Sequence, residues 1–133
     1  MIVNEKQLLG RLGEDAVTKR YAEMGFGVVA RNLHISHNEI DLILQNSTHL
    51  VFVEVKTRHA VPGVRTKYGR PAAAVNKTKQ THIIEAAKTY LREHPTELQP
   101  RIDIAEVYVT RGADGANHVT SVLLFPNAFG AHR

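Results

Sequence analysis

Two apolar runs, 38–45 and 50–56, joined by the turn-forming stretch Asn46-Ser47-Thr48-His49, carry three carboxylates and one ammonium inside what reads as an antiparallel hairpin. Charges inside such strands constrain both fold and function. With the turn centred between Ser47 and Thr48, cross-strand partners have numbers summing to 95, which sets Asp41 against Glu54 and Glu39 against Lys56. Period-2 alternation places these four on one face with Ile43, Gln45, Leu50 and Phe52, and Ile40, Leu42, Leu44, Val51, Val53 and Val55 on the other. Directly opposed Cβ atoms lie about 4.5–5.5 Å apart, and like charges there repel. A hard divalent cation is the simplest chemical reason to keep Asp41 facing Glu54, because Mg²⁺ or Mn²⁺ takes oxygen ligands and needs only one or two carboxylates beside substrate phosphate.

A chain of 133 residues is of single-domain length, and 43% hydrophobic with 23% charged residues is ordinary for a globular protein. No apolar run reaches the roughly 18–20 residues that span a bilayer, and the start of the chain lacks the pattern of a signal peptide, so the expectation is a cytoplasmic protein without membrane contact. The absence of cysteine leaves oxygen or imidazole as the metal donors. Eight histidines raise the question of zinc, but the nearest pair, His34 and His37, falls on opposite faces of a strand and reads as surface histidine.

The net charge is +4, and its distribution is uneven. Between positions 55 and 84 stand Lys56, Arg58, Arg65, Lys67, Arg70, Lys77 and Lys79, with no Asp or Glu. Such a stretch beside a carboxylate cluster points to a polyanion; the alternative is a solvated basic loop. Helical spacing of Leu8, Leu9, Leu12, Ala16 and Val17, after a capping-box pair Asn4 and Gln7, predicts a helix over 5–23 closed by Gly25-Phe26-Gly27. A strand is expected over 28–33, a mobile basic loop over 57–71, a second helix over 74–93, and strands over 101–109 and 118–125. The order is α-β-β-β-α-β-β, in one domain spanning 1–133.

Asp41 and the run Glu54-Val55-Lys56 form D-x(12)-E-x-K, a weak pattern by spacing alone that gains force from strand register. The alternative is a salt-bridge cluster among Glu39, Glu54 and Lys56, which leaves the excess negative charge unexplained. The segments Asn-Glu-Ile-Asp-Leu-Ile at 38–43 and Val-Phe-Val-Glu-Val-Lys-Thr-Arg at 51–58, with Gly13-Glu14, Lys79-Gln80 and Arg101-Ile102-Asp103, resemble the YraN family of small bacterial proteins. That family is similar to the PD-(D/E)xK nucleases, which include restriction endonucleases and Holliday-junction resolvases.

The resemblance implies a restriction endonuclease-like α/β fold, a mixed central sheet flanked by helices. It implies that Asp41, Glu54 and the Val55 carbonyl are metal ligands, that Lys56 is the catalytic lysine, and that Glu14 is a helix acid near the metal. Glu39 is either a further acidic ligand or the residue that holds Lys56, and the register favours the second. Arg58, Arg65, Lys67, Arg70 and Lys77 would track a nucleic-acid backbone, while Lys79 and Gln80 at the helix start could meet the scissile phosphate or a base. Arg101 and Asp103 share a strand face as a structural pair. Asn38 and Glu106 depart from the pattern, standing where relatives often have glycine and small or apolar residues.

The expected activity is Mg²⁺- or Mn²⁺-dependent phosphodiester hydrolysis of DNA by an endonuclease, with RNA left open. The rival is a nucleic-acid-binding module that does no chemistry. If the substrate is a four-way junction, a homodimer is expected, since two scissile phosphates must be reached.

Overall fold

The computed structural model describes residues 4–60 and 75–129. Its first helix, α1 (Glu5–Glu23), keeps the bounds expected from its caps. Asn4 Oδ1 accepts from the Gln7 N–H at 2.8 Å, and Gln7 Oε1 accepts from the Asn4 N–H at 3.2 Å, a reciprocal capping box. At the far end the Phe26 N–H donates to Tyr21 O and the Gly25 N–H to Ala22 O. That closure requires a left-handed residue, and Gly25 supplies φ +92°.

Strands β1 (Gly27–Ile35), β2 (Asn38–Gln45) and β3 (His49–His59) form an antiparallel meander, followed by α2 (Lys77–Glu93), β4 (Gln99–Arg111) and β5 (Asn117–Phe125). The sheet order is β1-β2-β3-β4-β5, with β3 and β4 parallel across the α2 crossover and the other pairs antiparallel. This is the mixed five-stranded sheet flanked by helices, in the order α-β-β-β-α-β-β, that the restriction endonuclease-like expectation requires.

Each helix covers one face of the sheet. Val17 and Tyr21 of α1 pack with Leu42, Leu44, Val51, Val53, Ala105 and Val107, while Ile83, Ala86, Ala87 and Tyr90 of α2 pack with Ile43, Phe52, Ile102 and Ile104. Covering both faces explains why β3 opens as a nearly continuous apolar run rather than an alternating one. Each fully buried Val, Leu, Ile or Phe among these contributes about 1.5–3 kcal/mol. Among the described residues no helix is long and apolar enough to cross a membrane.

Three expectations change. β3 continues to His59 because its pairing with β4 runs on to His59 and Val109, so 57–59 are strand and not loop; positions 61–71 of the expected loop lie outside the described residues. Helix α2 begins three residues late, at Lys77, because Asn76 in an extended conformation caps it and accepts from the Lys79 N–H at 2.8 Å. Ile40 joins the α2-side core although alternation groups it with Leu42 and Leu44 on the α1 side. The change of face occurs across Asp41.

Candidate active site

The register deduced from the turn holds as far as it is paired: Gln45 with Leu50, Leu44 with Val51, Ile43 with Phe52 and Leu42 with Val53 all sum to 95. Pairing then stops. At the next position the Asp41 side chain intervenes, its Oδ2 accepting from the Val55 N–H at 2.8 Å. A carboxylate thus takes a backbone donor of β3 at the point where the ladder with β2 ends, and Asp41 and Glu54 sit where the two strands part.

The electrostatics of the two acids differ. Glu54 is buried, at 5% exposure, and its Oε2 lies 3.6 Å from Lys56 Nζ and 3.7 Å from Lys79 Nζ. Burial pushes the Asp41 carboxyl up to about 7; the Glu54 charge adds to this, the Val55 hydrogen bond opposes it, and the Glu14 charge raises it further. Asp41 therefore ionises less readily than an exposed carboxyl.

Glu14 reaches this neighbourhood because α1 lies close on β3. A Cβ built on Gly13 would overlap Thr57 Oγ1, so only glycine permits the approach. The Glu14 side chain is 12% exposed and accepts from Asn32 Nδ2 at 3.1 Å and Arg31 Nη2 at 3.4 Å. Arg31 also pairs with Asp15 at 2.9 Å. Neither Arg31 nor Asn32 belongs to a motif that marks it in the sequence. The one signal for them was an asparagine inside a strand: Asn32 has φ +50°, a left-handed value that asparagine tolerates better than most residues.

Glu39 does not oppose Lys56. It pairs in register with His34 and meets His34 Nε2 at 3.2 Å, while Lys56 turns to Glu54. The physical reason is the end of the β2–β3 ladder at Leu42 and Val53, beyond which the β1–β2 pairing governs β2. Glu39 instead borders an open cleft with Gln7, Gly10, Arg11, Glu14 and Asn32 on the α1 side. His34 and His37 are exposed, as surface histidines.

At the start of α2, Lys79 approaches Glu54, Lys77 is exposed, and Gln80 Nε2 folds back to donate to Val75 O at 2.9 Å. Arg58, on the β3 column of Glu54 and Lys56, exerts its charge on Glu106. Arg65, Lys67 and Arg70 lie outside the described residues. The structure thus brings Asp41, Glu54, Lys56, Lys79 and Glu14 to one region and leaves Glu39 on its rim.

A second buried acid, Asp103, stands near Tyr21 on the α1 side. It accepts from Arg101 Nε at 2.8 Å and Nη2 at 2.9 Å, from the Tyr21 hydroxyl at 2.6 Å and from the Asn127 N–H at 2.9 Å. Arg101 also lies over the Phe26 ring, 5.7 Å from its centroid. The expected pair of Arg101 and Asp103 is therefore the middle of a larger structural network.

The donors near Asp41 suit a hard divalent cation: carboxylate oxygens, that of Asp41 pushed toward its protonated form by burial and then by its acidic neighbours, with no thiolate in the chain. Among the described residues no three His, Asp or Glu side chains already close around one point. Two carboxylates completed by water and phosphate is the set that Mg²⁺ accepts.

Residues 13–107 match the family described as Uncharacterised protein family UPF0102, the YraN family. A UPF0102 protein of Caldicellulosiruptor saccharolyticus is 33% identical over 93% of this chain and 98% of its own length. Those of Desulforapulum autotrophicum and Symbiobacterium thermophilum are 37% and 39% identical, over 95% and 80% of this chain and 96% and 86% of theirs. A solved structure of Pyrococcus furiosus SfsA in complex with Ca²⁺ aligns with 89% of this chain and 64% of its own, at 14% identity and a TM-score of 0.43.

Proposed function

The chain belongs to the Uncharacterised protein family UPF0102, and from that premise we propose that it is a Mg²⁺- or Mn²⁺-dependent phosphodiesterase acting on DNA, an endonuclease. The observation that carries the proposal is the Asp41 and Glu54 pair at the parting of β2 and β3, short of positive charge on the Asp41 side and flanked by Lys56 and Lys79. Asp41 and Glu54 hold the cation, with the Val55 carbonyl as a third donor and Glu14 as an acid that tunes Asp41. When bound, the cation supplies Lewis-acid activation of water and phosphate.

The chain's own groups do the rest. Lys56, two residues past Glu54, orients the attacking water or stabilises the charge that develops on the phosphate oxygens. Lys79 and Lys77 place ammonium groups at the first turn of α2, where the helix dipole also favours anions. Arg58, with Arg65, Lys67 and Arg70, follows the nucleic-acid backbone.

The test is a cleavage panel of linear, nicked, branched and single-stranded DNA, with RNA alongside, in Mg²⁺ or Mn²⁺. Cleavage is expected from the wild type and absent from Asp41→Ala and Glu54→Ala; activity surviving in both purified single variants overturns the proposal. Calorimetry that finds no Mn²⁺ binding, with or without DNA, instead supports a scaffold that binds nucleic acid and does no chemistry. Affinity for DNA should fall steeply with salt, and a flat response counts against both readings. If junctions are cut, a sizing column should show a dimer with a four-way junction, and a monomer in every run removes that expectation.

A further inference from the structure

Glu106 is the one acid of the α2-side sheet face that the proposed chemistry does not use. It is fully buried, at 0% exposure, on β4. Among the described residues its Oε2 has no hydrogen-bond partner, and its Oε1 receives a long bond of 3.4 Å from the Tyr108 hydroxyl. Burial pushes its carboxyl upward, against the charge of Arg58 and the Tyr108 bond. A buried carboxylate oxygen without a donor is an expensive arrangement to retain unless a donor arrives in some state of the protein.

The candidate donor is next door. Lys56 and Glu106 are register partners in the parallel β3–β4 pair, so their side chains leave the same face of adjacent strands. Lys56 now leans to Glu54 at 3.6 Å, sharing the same oxygen with Lys79 at 3.7 Å, and neither contact is as short as a good charge-assisted hydrogen bond. If Glu54 gives its charge to a cation, both lysines lose that partner. Lys79, with a side chain 41% exposed at the end of a helix, has solvent to return to; Lys56, at 33% on a strand, has Glu106 beside it.

We propose that Glu106 is a second seat for the Lys56 ammonium, a positioning residue that takes Lys56 over from Glu54 when Glu54 is engaged elsewhere. The inference rests on the reading of Glu54 as a cation ligand. It gives Lys56 two defined positions, one for the resting site and one for the working site, instead of one position and free solution. Glu106 touches neither substrate nor cation; it acts through Lys56.

A test that needs neither metal nor cleavage neutralises Glu54 directly. In ¹H–¹⁵N spectra of lysine side chains, an ammonium held by a carboxylate exchanges slowly enough to be seen, and the Lys56 signal is identified by its absence in Lys56→Met. The signal should be present in the wild type, retained but shifted in Glu54→Gln, and lost in Glu54→Gln combined with Glu106→Leu. Loss of the signal in Glu54→Gln alone, or its survival in the double variant, overturns the proposal. Should the double variant fail to fold, the crystal structure of Glu54→Gln decides: Lys56 Nζ within hydrogen-bond distance of Glu106 Oε2 supports the second seat, and Lys56 Nζ in solvent refutes it. In cleavage assays Glu106→Gln should lower kcat and leave KM unchanged. A protein that gives the expected ammonium spectra but cleaves no substrate refutes the nuclease reading and leaves the Lys56 seat standing.

Discussion

Two aspartates of the same sheet meet opposite fates. Asp103 is saturated: a bidentate guanidinium, a tyrosine hydroxyl and a backbone N–H all donate to it, and the Tyr21 hydroxyl is itself held protonated, its pKa driven upward by burial and by the Asp103 charge. Asp41 has one backbone donor and two acidic neighbours, Glu54 and Glu14, whose charges work against its ionisation. A carboxylate kept for the fold is given its donors by the fold. Asp41 is left short of them, beside Glu54, whose own Oε2 is the one that Lys56 and Lys79 approach.

That contrast can be broken most severely at the site. Asp41→Ala and Glu54→Ala should each reduce single-turnover cleavage by about 10³-fold or more with only a small change in melting temperature, since relief of the repulsion between the two acids offsets the lost Val55 hydrogen bond or lysine contacts. Asp103→Ala should do the reverse. By leaving Arg101 and the Tyr21 hydroxyl unpaired it should destabilise the protein by about 3 kcal/mol, read as a shift in the urea midpoint, and affect cleavage only through the folded fraction. If Asp103→Ala proved harmless and Asp41→Ala unfolded the chain, the contrast would be inverted.

Gly13→Ala tests the bridge between the two regions, because α1 carries both Glu14 and Tyr21. Overlap with Thr57 Oγ1 should cost about 1–3 kcal/mol by denaturation and lower cleavage as α1 lifts from β3. The pH dependence of the metal-free protein gives a smaller effect with a definite sign. Asp41 has a folded pKa near 7, above its unfolded value, so the folded state holds a proton that the unfolded state has released. Stability should therefore decline as pH rises from about 4 to about 7 through this residue, and Asp41→Asn should flatten that part of the profile. Proton and cation compete for the same group, so Mn²⁺ should bind more tightly at pH 8 than at pH 6 by calorimetry. The smallest expected change is that Glu14→Gln lowers the Asp41 titration, followed by carboxyl ¹³C shifts; an unchanged titration would remove Glu14 from the site.

Much of this was legible in the chain. The caps Asn4, Gln7 and Gly25 mark α1, and the turn at 46–49 sets a register that the paired residues keep. Glu39 and Ile40 were misplaced for one shared reason: register arithmetic assumes that a ladder continues, and Asp41 ends it with its own side chain. No local pattern announces such an exchange of a backbone acceptor for a carboxylate. Arg31 and Asn32 were invisible because their partner Glu14 is 17 and 18 positions away on another element. Lys79 was placed at the helix start by sequence, but its approach to Glu54 depends on where the crossover lands.

The crossover has a consequence in time. Partners in β3 and β4 are 50 positions apart, from His49 with Gln99 to His59 with Val109, whereas the β1–β2–β3 meander joins neighbours along the chain. Distant pairings carry a larger loop-closure entropy, so the meander is expected to form before the parallel seam. Asp41 and Glu54 both belong to the meander; Glu106 and Asp103 arrive only with the seam. In that order the two acids would meet while water still screens them, and their mutual repulsion would grow as the last strands dock.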